Sequence, residues 1–119
     1  MLDRIARAGA VVLTTGRLGL RYSRLLFPEH EAILVGSKLR EALRAADGDV
    51  VLCGLPGLIL KFMNPDVLEG TGCATVEELS ATPLWEETVR RELAAFRARY
   101  HRVRVVIVDR DGRVIGESP

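Results

Sequence analysis

Asp49 to Gly72, DVVLCGLPGLILKFMNPDVLEGTG, carries most of the structural information in the chain. Val50 to Cys53 is a short apolar run, β-branched at its start and halted by Gly54 and Pro56. Such a run predicts a strand buried on both faces, as in a parallel sheet. Gly57 to Met63 has helical length and is apolar nearly all round, with Lys61 its only charge. A surface helix shows one polar face. This one is therefore either enclosed by its own domain or covered by another surface. Pro65 lacks a backbone N–H and drives Asn64 out of the helical region, so the helix stops there. Glu69-Gly70-Thr71-Gly72 then forms a glycine-rich turn. Strand, Gly-Pro elbow, covered helix and Gly-Thr-Gly loop read together as the wall of a site.

Towards the N-terminus, Leu2 to Ala8 predicts a short helix with Leu2, Ile5 and Ala6 on one face. Ala10 to Thr14 predicts a strand, and Thr15 to Gly19 the loop after it. Leu18, Tyr22, Leu25 and Leu26 then recur at helical spacing as far as Pro28. Ala32 to Val35 predicts the next strand. A helix follows with Ser37 as N-cap, Leu39, Ala42, Leu43 and Ala46 as inner face, and Gly48 as its stop.

Towards the C-terminus, Thr75 and Glu78 have the spacing of a capping box. Thr82-Pro83 signals a further helix start, with Trp85, Val89, Leu93, Phe96 and Tyr100 on one stripe. Val103 to Val108 predicts a strand, Asp109 to Gly112 a hairpin turn, and Arg113 to Gly116 a short edge strand. Strands alternating with helices imply a three-layer α/β/α sandwich. Its sheet is mainly parallel and Rossmann-like, of about four strands plus an antiparallel edge strand. Residues 1–119 are expected to form one α/β domain.

Composition narrows the function. Seventeen basic residues against 16 acidic leave a net charge of +1, which gives no field suited to nucleic acid or an anionic membrane. Aromatics at 5% argue against base stacking. Hydrophobic residues at 48% and charged residues at 28% describe an ordinary soluble chain. No run approaches the roughly 18 apolar residues of a membrane span. Cys53 and Cys73 form no Cys-x-x-Cys pair, so reduced thiols and a cytoplasmic location are expected. No metal site is expected, since no His-Glu-x-x-His or similar spacing occurs.

In open α/β sheets, ligands bind beyond the carboxyl ends of the strands. Gly16, Gly36 and Gly54 follow three of the expected strands. Glycine permits tight turns and close backbone approach, while helix N-termini offer free N–H groups to anions. Arg17, Arg21, Lys38, Arg40 and Lys61 lie close to these points in sequence, and Arg17, Arg21 and Arg24 share one helix face. The plain alternative is a solvated basic face beside ordinary turn glycines. Gly16-Arg17-Leu18-Gly19 matches neither a dinucleotide fingerprint nor a phosphate loop. Glu69 is the best isolated carboxylate for acid–base work, whereas Asp109 is placed to cap the hairpin. His30 and His101 fall in charged loops and are read as surface histidines.

TTGRLGLRYS (14–23), VGSKLREAL (35–43), GLPGLILKF (54–62) and LEGTG (68–72) resemble the C-terminal domain of cobalt-precorrin-5B methyltransferases of anaerobic cobalamin biosynthesis. The most specific piece is the Gly-Leu-Pro-Gly elbow with its apolar helix. The resemblance implies S-adenosylmethionine as methyl donor and a cobalt-containing corrinoid precursor, methylated at ring carbon one, as acceptor. It implies that Arg17, Arg21, Lys38 and Lys61 hold the acceptor's carboxylates. The glycine loops, through Gly16, Gly19, Gly36, Ser37, Gly54, Pro56, Gly57, Gly70, Thr71 and Gly72, would contact donor or acceptor by backbone, with Glu69 as candidate acid or base. Enzymes of this family are much longer, which implies an N-terminal domain or partner chain, and a homo-oligomer is a further option. Two readings from other classes stand beside this one. A binding or assembly module would use the apolar helix 57–63 as its interface, and a third reading is a small nucleotide-binding regulatory domain.

Overall fold

Four short apolar runs become the parallel part of one sheet: Val11–Thr14 (β1), Glu31–Leu34 (β2), Val50–Gly54 (β3) and Val103–Val108 (β4). Val114–Glu117 (β5) returns antiparallel along β4. The strand order is β2-β1-β3-β4-β5. These coordinates come from a computed structural model, which describes residues 11–46 and 49–118. The helix expected over 2–8 and the helix stop at Gly48 lie outside those residues. Every residue of β1 and β3 is buried, as their unbroken apolar character requires.

The helices are Arg17–Leu26 (α1), Leu39–Ala45 (α2), Pro56–Met63 (α3), Val76–Ser80 (α4) and Trp85–Arg99 (α5), with a 3₁₀ turn over Gly36–Lys38. The crossover from β1 to β2 steps one way across the sheet, and those from β2 to β3 and β3 to β4 step the other way. Right-handed connections then put α1 on one face and the remaining helices on the opposite face. Burial follows that division. Val12, Val51, Cys53, Val106 and Val108 pack with Tyr22 and Phe27 of the α1 segment. Leu13, Leu52 and Ile107 pack with Ile59, Leu60, Leu79 and Leu93 of the other helices. The expected three-layer sandwich is present, one outer layer being a single helix.

That single helix packs differently from the sequence expectation. Its buried residues are Gly19 and Ser23, whereas Leu25 is 68% exposed and Leu26 is also exposed. Small residues let the helix axis approach the sheet closely. A Cβ on Gly19 would come within 2.6 Å of Thr14 Oγ1 and 3.6 Å of Gly54 Cα. The Ser23 hydroxyl turns back to donate to Leu20 O at 2.9 Å. Tyr22 reaches across the sheet edge and donates to Arg110 O at 2.7 Å, tying α1 to the β4–β5 turn.

Other local readings hold with shifts at their ends. The Thr75 side chain accepts from Glu78 N at 3.1 Å, and the Glu78 carboxylate accepts from Ala74 N at 3.0 Å, a reciprocal cap for α4. Ser37 does not cap a helix. It lies inside the 3₁₀ turn, and α2 begins without a side-chain cap. Thr82 accepts from Leu84 N at 3.3 Å and so caps a turn, with α5 starting only at Trp85. Asp109 Oδ1 accepts from the N–H groups of Asp111 and Arg113, each at 2.9 Å, as a hairpin cap should. Trp85 Nε1 donates to Ile115 O at 3.0 Å and anchors the edge strand to α5. The apolar helix α3 is covered on one side by its own fold: Ile59 and Leu60 are fully buried, Phe62 and Met63 are half-buried, and Leu58 is exposed.

The close α1 contact is testable. An added methyl group at Gly19 costs about 1–3 kcal/mol as overpacking, against about 1 kcal/mol returned by better helix propensity. Gly19→Ala is expected to lower the urea midpoint. Gly19→Ala combined with Thr14→Ala should recover part of that loss, because the Thr14 hydroxyl is the nearest obstacle.

Candidate functional site

Parallel strands in register end together. Thr14 is level with Leu34 on one side and Cys53 on the other. Gly16, Gly36 and Gly54 therefore gather at one edge of the sheet, and Val35 N donates to Thr14 O at 3.0 Å across it. The strand order reverses direction between β1 and β3, and at such a switch point the loops part and leave a crevice.

The crevice is built from both strand ends. Gly16 has φ +76, a left-handed conformation that lets the chain turn sharply from β1 into α1. A Cβ on Gly16 would lie 3.7 Å from Leu58 Cδ1, so the first turn of α3 stands beside this loop. A Cβ on Gly54 would come within 3.0 Å of Ile59 Cδ1 and 3.5 Å of Thr15 Oγ1. A side chain there would need Ile59 to give way by a few tenths of an ångström. Neither α1 nor α3 has a side-chain cap; the first turn of α1 keeps its outward amides, whereas in α3 Pro56 has no N–H and Leu58 N donates to Leu55 O at 3.1 Å, which leaves the Gly57 amide. The hydroxyls of Thr14 and Thr15 are buried without hydrogen-bond partners at this same point.

The residues singled out from the sequence divide into three groups. Gly16, Arg17, Gly36, Ser37, Lys38, Gly54, Pro56 and Gly57 lie at the carboxyl edge, in the turns after β1, β2 and β3 or in the first helical turn that follows. Arg17, Ser37 and Lys38 are exposed. Gly19 is also near, but it is buried against Thr14 and acts in packing. Arg21 sits a turn further along α1 with its guanidinium 5.9 Å from the Tyr22 ring, and Lys61 is exposed in the last turn of α3. Gly70, Thr71 and Gly72 form a loop closed on itself. Thr71 Oγ1 donates to Leu68 O at 2.7 Å and accepts from Cys73 N at 3.2 Å. Glu69 is exposed on that loop.

One carboxylate escaped the sequence reading. A Cβ on Gly57 would lie 2.8 Å from Glu77 Oε1, so Glu77 stands against the first turn of α3. The capping box located Glu77 in the opening turn of α4, but no local pattern told which element that turn would face. Thr15 was passed over as a loop residue, and its burial depends on β3 and α3 closing over it.

Hollows also lie elsewhere among the described residues. A groove of about 350 Å³ runs between α5 and β5, lined by Trp85, Val89, Leu93 and Ile115 among others. A second, of about 300 Å³, lies among residues at the amino ends of β3 and β4, with His30, His101, Arg97 and Arg102. The crevice nevertheless holds the partnerless Thr15 hydroxyl and the uncapped start of α1, features that a ligand or solvent can satisfy. Among the described residues, no group of His, Cys, Asp and Glu could hold a metal ion, and no helix is long and apolar enough to cross a membrane.

The fold is that of a doubly wound α/β domain whose strand order reverses between β1 and β3. The whole chain is 88% identical to part of a cobalt-precorrin-5B C(1)-methyltransferase of Methanoculleus marisnigri and 53% identical to part of one from Methanoregula boonei, covering 36% of each. A third protein of that name, from Methanosarcina acetivorans, is 43% identical over 98% of this chain and 34% of its own length. The resemblance to this family therefore extends along the full chain. The chain spans about a third of the length of these relatives. No family model and no solved structure matches it.

Cys53 bears on chemistry by exclusion. Burial pushes its thiol up from 9.0 to about 11, so at neutral pH it holds its proton and lacks the thiolate that a nucleophile needs. The native state keeps this proton where the unfolded chain loses it. Stability is therefore unaffected below about pH 9 and erodes between about pH 9 and 11. Thiol titration at pH 8 should count one reactive group, the half-buried Cys73, and a second only after denaturation.

Proposed function

We propose that this chain is the C-terminal domain of an S-adenosylmethionine-dependent methyltransferase that acts on a cobalt-precorrin in cobalamin biosynthesis. The observation that carries the reading is the 88% identity along the whole chain to part of a protein bearing that activity in its name. The rest of the relatives' length would be supplied by an N-terminal domain or a partner chain, in a cytoplasmic enzyme.

The crevice suits both small molecules. A corrinoid precursor presents many carboxylates. Exposed Arg17 and Lys38, beside the outward amides of α1 and the 3₁₀ turn, form a rim fit for them. Arg21 extends the rim, and Lys61 would reach only an acceptor that overhangs α3. One observation supports the donor here: the partnerless Thr15 hydroxyl at the end of β1. When bound, the donor supplies a methyl group on a positively charged sulfur. The chain's own residues then bind and orient: Gly16, Gly54 and Gly57 by close backbone approach, Leu58 by apolar contact, and the cationic rim by charge. Glu77 is better placed than Glu69 to take or hold a proton at this edge, because it stands against the α3 N-terminal turn.

The module reading loses ground here, because the fold itself buries Ile59 and Leu60 of α3. Calorimetry with S-adenosylmethionine and with cobyrinic acid separates the readings, heat with either being the expected result. Arg17→Glu and Lys38→Glu should each weaken cobyrinic acid binding at least tenfold, about 1.4 kcal/mol, with unchanged circular dichroism. Unchanged affinity in both variants would remove the cationic rim from the mechanism.

A further inference from the structure

Two neighbouring threonines end β1, and both carry buried hydroxyls without partners. Folded proteins seldom leave such groups orphaned, because the lost hydration is not repaid. The two occupy different surroundings. Thr14 is the last residue of β1 and Thr15 lies just beyond it. Thr14 points towards α1, is 0% exposed, and lies where a Gly19 Cβ would come within 2.6 Å of its oxygen. No ligand can reach it there. Thr15 points the other way, towards α3. The residue is 7% exposed although its oxygen is itself shut off from solvent, and that oxygen lies 3.5 Å from the Cβ position of Gly54, between the ends of β1 and β3.

We infer that the Thr15 hydroxyl is a ligand-binding group that donates a hydrogen bond to a carboxylate seated in the β1–β3 crevice. The inference rests on the methyltransferase reading for the identity of that carboxylate, but not for its chemistry. The backbone amides that open α1, and that of Gly57 in α3, can only donate, and the helix ends they belong to are positive. Arg17 and Lys38 add positive charge at the rim. A ligand group filling this place must accept several hydrogen bonds and carry negative charge, and a carboxylate does both. The hydroxyl supplies the donor deepest in the crevice. Two molecules could bring the carboxylate: the amino-acid arm of the donor, or an acidic side arm of the corrinoid.

The test uses a trade of stability against binding. Thr15→Val keeps the shape and removes an orphan, so the ligand-free chain should melt at a higher temperature. Thr14→Val, the internal control, should do the same. Binding should separate them. Thr15→Val is expected to weaken either S-adenosylhomocysteine or cobyrinic acid about tenfold, while Thr14→Val leaves both unchanged and Thr15→Ser restores affinity. Loss confined to S-adenosylhomocysteine, with 5′-methylthioadenosine unaffected, assigns the donor's carboxylate. Loss confined to cobyrinic acid assigns the acceptor's. Free methionine, followed through the amide resonances of Gly16, Gly54 and Gly57, probes the crevice without either molecule. Methionine-induced shifts that vanish in Thr15→Val would uphold the inference even if the wild-type chain bound neither larger molecule, a result that would sink the methyltransferase reading alone. A lower melting temperature or failure to fold in Thr15→Val would show that the hydroxyl has a structural partner, and would overturn the inference. So would full affinity in that variant, or a wild-type chain that responds to none of these probes.

Discussion

The structure depends on β1 being hydrogen-bonded on both sides. With β2 on its left and β3 on its right, the chain must leave β1 in one direction and return in the other. Handedness then assigns α1 to one face by itself and opens the crevice between β1 and β3. A different neighbour for β1 would remove the crevice and move α1 to the crowded face. The parallel pairings Val11–Glu31 and Val11–Val50, each carried on through Thr14, therefore fix where a ligand can sit before any side chain is considered.

The lone helix explains much of the unusual local chemistry. One ten-residue helix must shield five buried side chains from β1, β3 and β4, and it does so by lying close. Closeness requires Gly19 and Ser23 at the contact, and these contribute little apolar surface of their own. Tyr22 and Phe27 cover the flanks, with the Arg104 guanidinium 5.7 Å over the Phe27 ring and paired with Glu117. Cys53, in the middle of this thin layer, serves as a small apolar filler, and the burial that makes it useful there also makes it unreactive.

The sequence exposed most of the architecture because period and punctuation were clear in it. Continuous β-branched runs marked β1, β3 and β4, and the stripe from Trp85 to Phe96 marked α5. Glycine and proline marked the turns. The α1 face was not legible, since Leu18, Tyr22, Leu25 and Leu26 keep helical spacing while tertiary packing selects Gly19 and Ser23. Hydrophobic period reports where apolar residues recur, and a close helix–sheet contact is made by residues that period ignores. Of the site, the glycines were visible by their position after strands. Thr15 and Glu77 were not, because each owes its role to an element distant in sequence: β3 for the hydroxyl, and the first turn of α3 for the carboxylate.

The character of the crevice also bears on how such a domain would share the work of a longer enzyme. Moving a methyl group between two bound molecules is mainly a matter of alignment, and holding both reactants in place can supply much of the rate. An edge made of glycine backbone, helix amides, cations and one hydroxyl is suited to alignment. It carries few groups suited to proton transfer, and the buried thiol nearby is held protonated. On the methyltransferase reading, this third of the relatives' length would chiefly position one partner of the reaction. Whatever residue must remove a proton from the acceptor would then be Glu77, at the lip of the crevice, or a group contributed from outside these 119 residues. Glu77 is exposed and its carboxylate lies beside Gly57, so it can turn towards a ligand without breaking the α4 cap, which belongs to Thr75 and Glu78. Freedom from a structural duty is what separates it from the other carboxylates of this edge: Glu78 is spent on α4, and Asp109 on the hairpin.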